Sequence, residues 1–144
     1  MTAPGRLGDD AVRFDIEPFD GEVFEGEAIV AAEWVDVCAF DDLEPDRGVA
    51  ALVGDVPVAV FRCWPDDSLH AVANIDPYTG ASVIARGVVG SVGDRPVVAS
   101  PLGKQRFDLR TGEAVDDGAA VRLPVHAVRV EDGRVLISRV PRPA

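Results

Sequence analysis

Beyond Trp34 the chain runs as short apolar stretches separated by turn residues, a pattern of strands rather than of amphipathic helices. Val49–Val53 and Val58–Arg62 flank Gly54-Asp55-Val56-Pro57, and Val128–Val130 and Val135–Ile137 flank Glu131-Asp132-Gly133-Arg134. Both pairs predict β-hairpins, the second with an Asp-Gly pair suited to a type I′ turn. A third reversal is expected at Gly93-Asp94-Arg95-Pro96, feeding Val97-Val98-Ala99. Phe107 and Leu109 alternate onto one face of a further strand. Arg110-Thr111-Gly112 ends that strand in a tight turn, with glycine available for positive φ. Helix is confined to one short turn at Asp41-Asp42-Leu43-Glu44. The expected fold is all-β, a sandwich or barrel of short antiparallel strands and hairpins.

The first 30 residues carry a different pattern. Asp9, Asp10, Asp15, Glu17, Asp20, Glu22, Glu25 and Glu27 stand against Arg6 and Arg13, punctuated by Phe14, Phe19 and Phe24. The chain therefore divides into an acidic, loosely structured N-terminal arm (residues 1–30) and one β domain (residues 31–140), and 144 residues suit one core rather than two. The arm reads as a solvated tail, with aromatic anchoring to a partner as the alternative.

Net charge of −11, from 25 acidic and 14 basic residues, repels phosphate backbones and anionic bilayers, so neither nucleic acid nor membrane is an expected partner. No apolar run approaches the roughly 20 residues that span a bilayer, and no basic head with an apolar segment opens the chain, which points to the cytoplasm.

Candidate chemistry is sparse. Cys38 and Cys63 sit beside apolar strand residues and read as core thiols, with a disulfide between them left open. Gly87-Val88-Val89-Gly90-Ser91-Val92-Gly93 lacks both the Gly-Lys-Ser/Thr ending of a phosphate loop and the Gly-x-Gly-x-x-Gly spacing of dinucleotide folds. Its glycines read as turn residues, and no nicotinamide or flavin site is assigned. His70 and His126 have no Glu or Cys at metal-ligand spacing and read as strand histidines, although a histidine pair stays open. Trp34, Trp64 and Phe107 read as core. Lys104, Arg106 and Arg110 form a basic patch that is either a solvated strand edge or a docking surface.

Two loops add a more specific signal. Ser100-Pro101-Leu102-Gly103, followed after three residues by Phe107-Asp108-Leu109 and then Thr111-Gly112, resembles the second cluster-binding loop of Rieske domains, where Cys-Pro-x-His precedes Phe-Asp-Leu and a Thr-Gly turn. Ser100 stands at the cysteine position and Gly103 at the histidine position. Upstream, Asn74-Ile75-Asp76-Pro77 follows a strand-like run where the family has Cys-x-His, so Asn74 and Asp76 replace the other two ligands. A Rieske cluster takes two thiolates and two imidazoles, and none is present at these positions.

A Rieske-like frame with vacated ligand positions resembles the small subunit of assimilatory NAD(P)H-dependent nitrite reductase. Glu33-Trp34-Val35-Asp36-Val37-Cys38, Arg47-Gly48-Val49-Ala50-Ala51-Leu52-Val53 and Val58-Ala59-Val60-Phe61-Arg62 match in order and spacing. The resemblance implies a large-subunit partner that carries FAD, siroheme, an iron–sulfur cluster and the NAD(P)H site. It implies a small subunit with no cofactor or catalytic residue of its own, inactive when isolated. The vacated loops would then form a contact surface involving Tyr78, Lys104, Arg106 and Arg110. The rivals are a Rieske-type ferredoxin electron carrier, which would need the missing ligands, and an independent β-sandwich interaction module.

Overall fold

The computed structural model describes residues 33–143; the expected acidic arm lies outside them. The described strands are β1 (Trp34–Ala39), β2 (Gly48–Val53), β3 (Val56–Cys63), β4 (Ser68–Ala73), β5 (Val88–Val92), β6 (Arg95–Ala99), β7 (Arg106–Asp108), β8 (Glu113–Ala114), β9 (Gly118–Arg122), β10 (Val125–Glu131) and β11 (Arg134–Pro141). Two single 3-10 turns, Phe40–Asp42 and Ile84–Arg86, complete the list. The first coincides with the one helical turn expected near Asp41.

The strands form two antiparallel sheets. One has six strands in the order β1-β11-β10-β4-β3-β2 and curls until β1 approaches β2, a nearly closed barrel; the other has five in the order β5-β6-β7-β8-β9. The uninterrupted apolar run Val58-Ala59-Val60-Phe61 follows from the place of β3 between two cores. Val58 and Val60 face the barrel interior with Leu43, Val53, Ala71, Val135 and Ile137. Ala59, Phe61 and Cys63 face the second sheet and meet Val72, Ile84, Val98, Phe107 and Leu109. Phe61 and Phe107 are fully buried, and each side chain contributes about 1.5–3 kcal/mol by leaving water.

The three hairpins form as read, two of them with tighter turns. Val53 pairs with Val56, so the β2–β3 turn is Gly54-Asp55 alone, with Gly54 at φ 65°, and Val56-Pro57 already belongs to β3. Val92 likewise pairs with Arg95, which leaves Gly93-Asp94 as the β5–β6 turn. At the β10–β11 turn Asp132 and Gly133 both have positive φ, 52° and 77°, as a type I′ turn requires.

Three readings are corrected. Val88–Val92 is strand β5, so Gly90 lies inside a strand instead of at a turn. Trp64 is 71% exposed rather than core, because β3 ends at Cys63 and Trp64 opens the turn to β4. Trp34 lies on the barrel's outside, with the Arg129 guanidinium 4.3 Å above its ring, and Phe107 is core as expected.

Candidate functional site

β4 and β6 both end beneath the same pole of the molecule, and the two loops identified from sequence emerge there side by side. Asn74, the first residue after β4, is buried; its N–H donates to the Pro57 carbonyl of β3 (3.0 Å), and its side chain and carbonyl bond within its own loop. Its side-chain amide donates to Ser82 Oγ (2.8 Å) and its Oδ1 accepts from Ala85 N–H (2.7 Å). Its carbonyl accepts from the N–H groups of Val83 and Ile84, each at 3.0 Å. Asn74 therefore shapes the descent of the loop into the 3-10 turn at Ile84.

Asp76 is fully buried. Its Oδ1 accepts from Tyr78 N–H at 2.8 Å, an Asx-type turn over Pro77, and its Oδ2 accepts the Ser100 hydroxyl at 2.6 Å. Ser100 also closes its own loop. Its N–H donates to Gln105 carbonyl (2.8 Å) and its Oγ accepts from Leu102 N–H (3.2 Å). Gly103 and Lys104 round the point of that loop with φ of 81° and 63°. The Asp76–Ser100 bond thus ties one loop to the other.

Asp108 explains the Phe-Asp-Leu and Thr-Gly elements further on. Its Oδ1 accepts from the N–H groups of Arg110 (2.7 Å) and Thr111 (3.1 Å), and its Oδ2 from Arg95 Nε (2.8 Å). Burial alone would raise its pKa, but the Arg95 guanidinium and the two N–H groups outweigh that and hold it below the ordinary carboxylate value. The aspartate is a turn builder.

Around the tied loops, Ile75, Tyr78 and Leu102 keep 41%, 40% and 42% of their surface exposed. The Tyr78 ring lies 6.1 Å from that of Phe107 and its hydroxyl donates to Asp117, a contact that pushes the phenol up to about 12. Arg106 pairs with the neighbouring Asp116 at 2.7 Å. Lys104 makes no ion pair among the described residues. Sequence reasoning did not find Ser82, Asp116 or Asp117: the first two bond partners 8 and 10 residues away across loop and turn geometry, and Asp117 meets Tyr78 across 39 residues.

The proposed basic patch is divided. Lys104 and Arg106 adjoin the tip, but Arg110 lies at the far end of β7, where its guanidinium donates to Asp94 carbonyl at 2.9 Å. Antiparallel pairing of β6 with β7 carries the chain away from the tip over those residues.

The remaining candidates are structural. Cys38 and Cys63 are free and belong to different cores; burial, reinforced by Asp42 and Asp46 respectively, pushes each thiol up to about 11. Such thiols are poor nucleophiles at neutral pH. His126 is buried with Nδ1 2.8 Å from Ser138 carbonyl, an acceptor only, so Nδ1 carries the proton. His70 lies on the adjacent strand, its pKa lowered by burial and by Arg110. Among the described residues no three His, Cys, Asp or Glu side chains are placed to hold a metal ion.

A family model for the Rieske-like [2Fe-2S] domain matches residues 33–138. The nitrite reductase (NADH) small subunit of Escherichia coli (strain K12) is 41% identical over 104 residues, which are 72% of this chain and 95% of that protein. The chain belongs to the family of nitrite reductase small subunits. A crystal structure of a Mycobacterium tuberculosis protein assigned as an NADH-dependent nitrite reductase small subunit is 47% identical and superposes with a TM-score of 0.71, over 74% of this chain and 95% of that one. A Klebsiella oxytoca chain named as a nitrite reductase [NAD(P)H] large subunit matches at 37% identity over 111 residues, 76% of this chain and 11% of that one.

The family's [2Fe-2S] description can be tested against the donors. The four positions equated with thiolate and imidazole ligands in the sequence analysis, Asn74, Asp76, Ser100 and Gly103, hold an amide already bonded on both sides, a carboxyl and a hydroxyl bonded to each other, and a glycine. None of these four residues is a thiolate or an imidazole, the ligand types such a cluster takes. With 2.6 Å between Asp76 Oδ2 and Ser100 Oγ, the two loops close on each other directly.

Proposed function

We propose that this chain is a redox-inert subunit of NAD(P)H-dependent nitrite reductase. It supports a large subunit that carries the FAD, siroheme, iron–sulfur and NAD(P)H chemistry of nitrite reduction to ammonia in the cytoplasm. Residues 31–140 form the working domain in this reading. The observation that carries the reading is the Asp76–Ser100 hydrogen bond, a protein cross-link where cluster-bearing relatives have ligands. Association with the large subunit is supported by the Klebsiella oxytoca chain, in which the matching domain is one-ninth of a single polypeptide.

The tip is the docking surface in this reading. Ile75, Tyr78 and Leu102 supply an apolar centre held in place by the buried bond beneath, with Lys104 and Arg106 at its rim. Arg110 stands outside that surface. In a titration of the large subunit, added small subunit should raise nitrite-dependent NAD(P)H oxidation, and the isolated small subunit should show none. The double variant Tyr78→Ala, Leu102→Ala should need about 10- to 100-fold more protein for the same effect, from about 1–3 kcal/mol of lost anchoring. Identical titrations for variant and wild type would move the interface elsewhere, and turnover by the isolated chain would refute the redox-inert role.

A further inference from the structure

At the pole opposite the tip, a second concave surface lies between the β3–β4 turn and the β5–β6 hairpin. It is an open cleft of about 450 Å³, walled by Trp64 and His70 on one side and by Val89, Ser91, Asp94 and Arg110 on the other. Three features of it are unexplained by the fold. Trp64 stands 71% exposed at its mouth, its backbone N–H fixed by Asp46 Oδ1 at 3.0 Å. Strand β5 beside it ends the second sheet and pairs only with β6, so its outer backbone edge is open among the described residues. Finally, Val88-Val89-Gly90-Ser91-Val92 carries no charge and no proline, the usual guards of a sheet edge, and Val88 is 75% exposed. A side chain at Gly90 would meet nothing within 4 Å, so packing within the domain does not require glycine there.

Charge selects the occupant. Among the described residues, Asp46, Asp66 and Asp94 line the cleft against the one cation Arg110, whose guanidinium also donates to the Asp94 carbonyl, so the lining is net acidic. The Ser68 N–H bonds Asp66 and holds its carboxyl below the ordinary value. The acidic arm of this chain and a second copy bearing −11 are both repelled.

We infer that the cleft takes an extended, lysine- or arginine-bearing segment of the large subunit, which adds as a strand to β5 and seats an apolar side chain on Trp64. This rests on the partner assigned above. A partner on the scale of the Klebsiella chain, of which the matched domain is 11%, is large enough to reach both poles.

The test uses the full chain and the intact large subunit. Amide exchange at Val88–Val92 should slow on complex formation, and Trp64→Ala should weaken binding at least tenfold, as should Asp94→Lys, with thermal midpoints unchanged because both side chains are exposed. Wild-type binding with unchanged exchange in β5 and full affinity in both variants would overturn the inference and leave the partner assignment standing. Absence of any wild-type binding would overturn both.

Discussion

Asp76→Ala is expected to destabilise the domain by about 3 kcal/mol, a fall in thermal midpoint on the order of 15 °C for a domain of this size. The carboxyl is fully buried and is the acceptor for two donors, the Ser100 hydroxyl and the Tyr78 N–H. Removing it strands both, and a buried donor left without a partner costs about 1–3 kcal/mol. The loss should be shared with Ser100. In a double-mutant cycle, Asp76→Ala and Ser100→Ala should couple by about 1–2 kcal/mol, since either change alone breaks the same bond. Additive losses in urea titrations would mean that the two loops are not held through this contact.

Gly112→Ala should cost about 3 kcal/mol or more, whereas Gly103→Ala should cost about 1–2. Both glycines have φ of 81°, so both variants carry the left-handed penalty of an L-residue, roughly 1–2 kcal/mol. Their surroundings differ. A Cβ at Gly103 meets nothing within 4 Å, but at Gly112 it collides with the Leu123 carbonyl oxygen, backbone that cannot swing aside. The same contact region holds the Leu123 N–H to Gly112 carbonyl bond at 2.7 Å, so the collision also threatens the approach to β10. Equal losses in parallel denaturation curves would show that φ alone sets the cost. For the same reason Gly103 is a poor place to add bulk as a probe of docking, and Leu102 and Tyr78 are the better positions.

Strand order along the chain was legible because Gly54-Asp55, Gly93-Asp94 and Asp132-Gly133 punctuate β-branched runs, and turn chemistry is local. Register was less so: Val56-Pro57 looks like loop, yet Val56 pairs with Val53 because Gly54 allows a two-residue turn. The tip residues Asn74, Asp76, Ser100 and Gly103 could be located from the order of Phe-Asp-Leu and Thr-Gly elements. That Asp76 and Ser100 bond to each other could not, since they are 24 residues apart and meet only once both sheets form. Tyr78 with Asp117, 39 residues apart, is the same case. Arg110 adjoins Lys104 and Arg106 in sequence, but strand β7 between them carries it to the opposite pole. Residue type alone puts Trp64 in the core, which holds only where a strand places the side chain inward; here the strand has already ended.

Iron and acid-labile sulfide in the small subunit, purified without exposure to air, test the central claim most directly. With Asp76 and Ser100 bonded to each other and no thiolate or imidazole on either loop, the protein should contain neither above background and show no Rieske-type visible absorption. Stoichiometric iron and sulfide with that spectrum would contradict the account, and would require the two tip loops to be arranged around ligands other than Asn74, Asp76, Ser100 and Gly103.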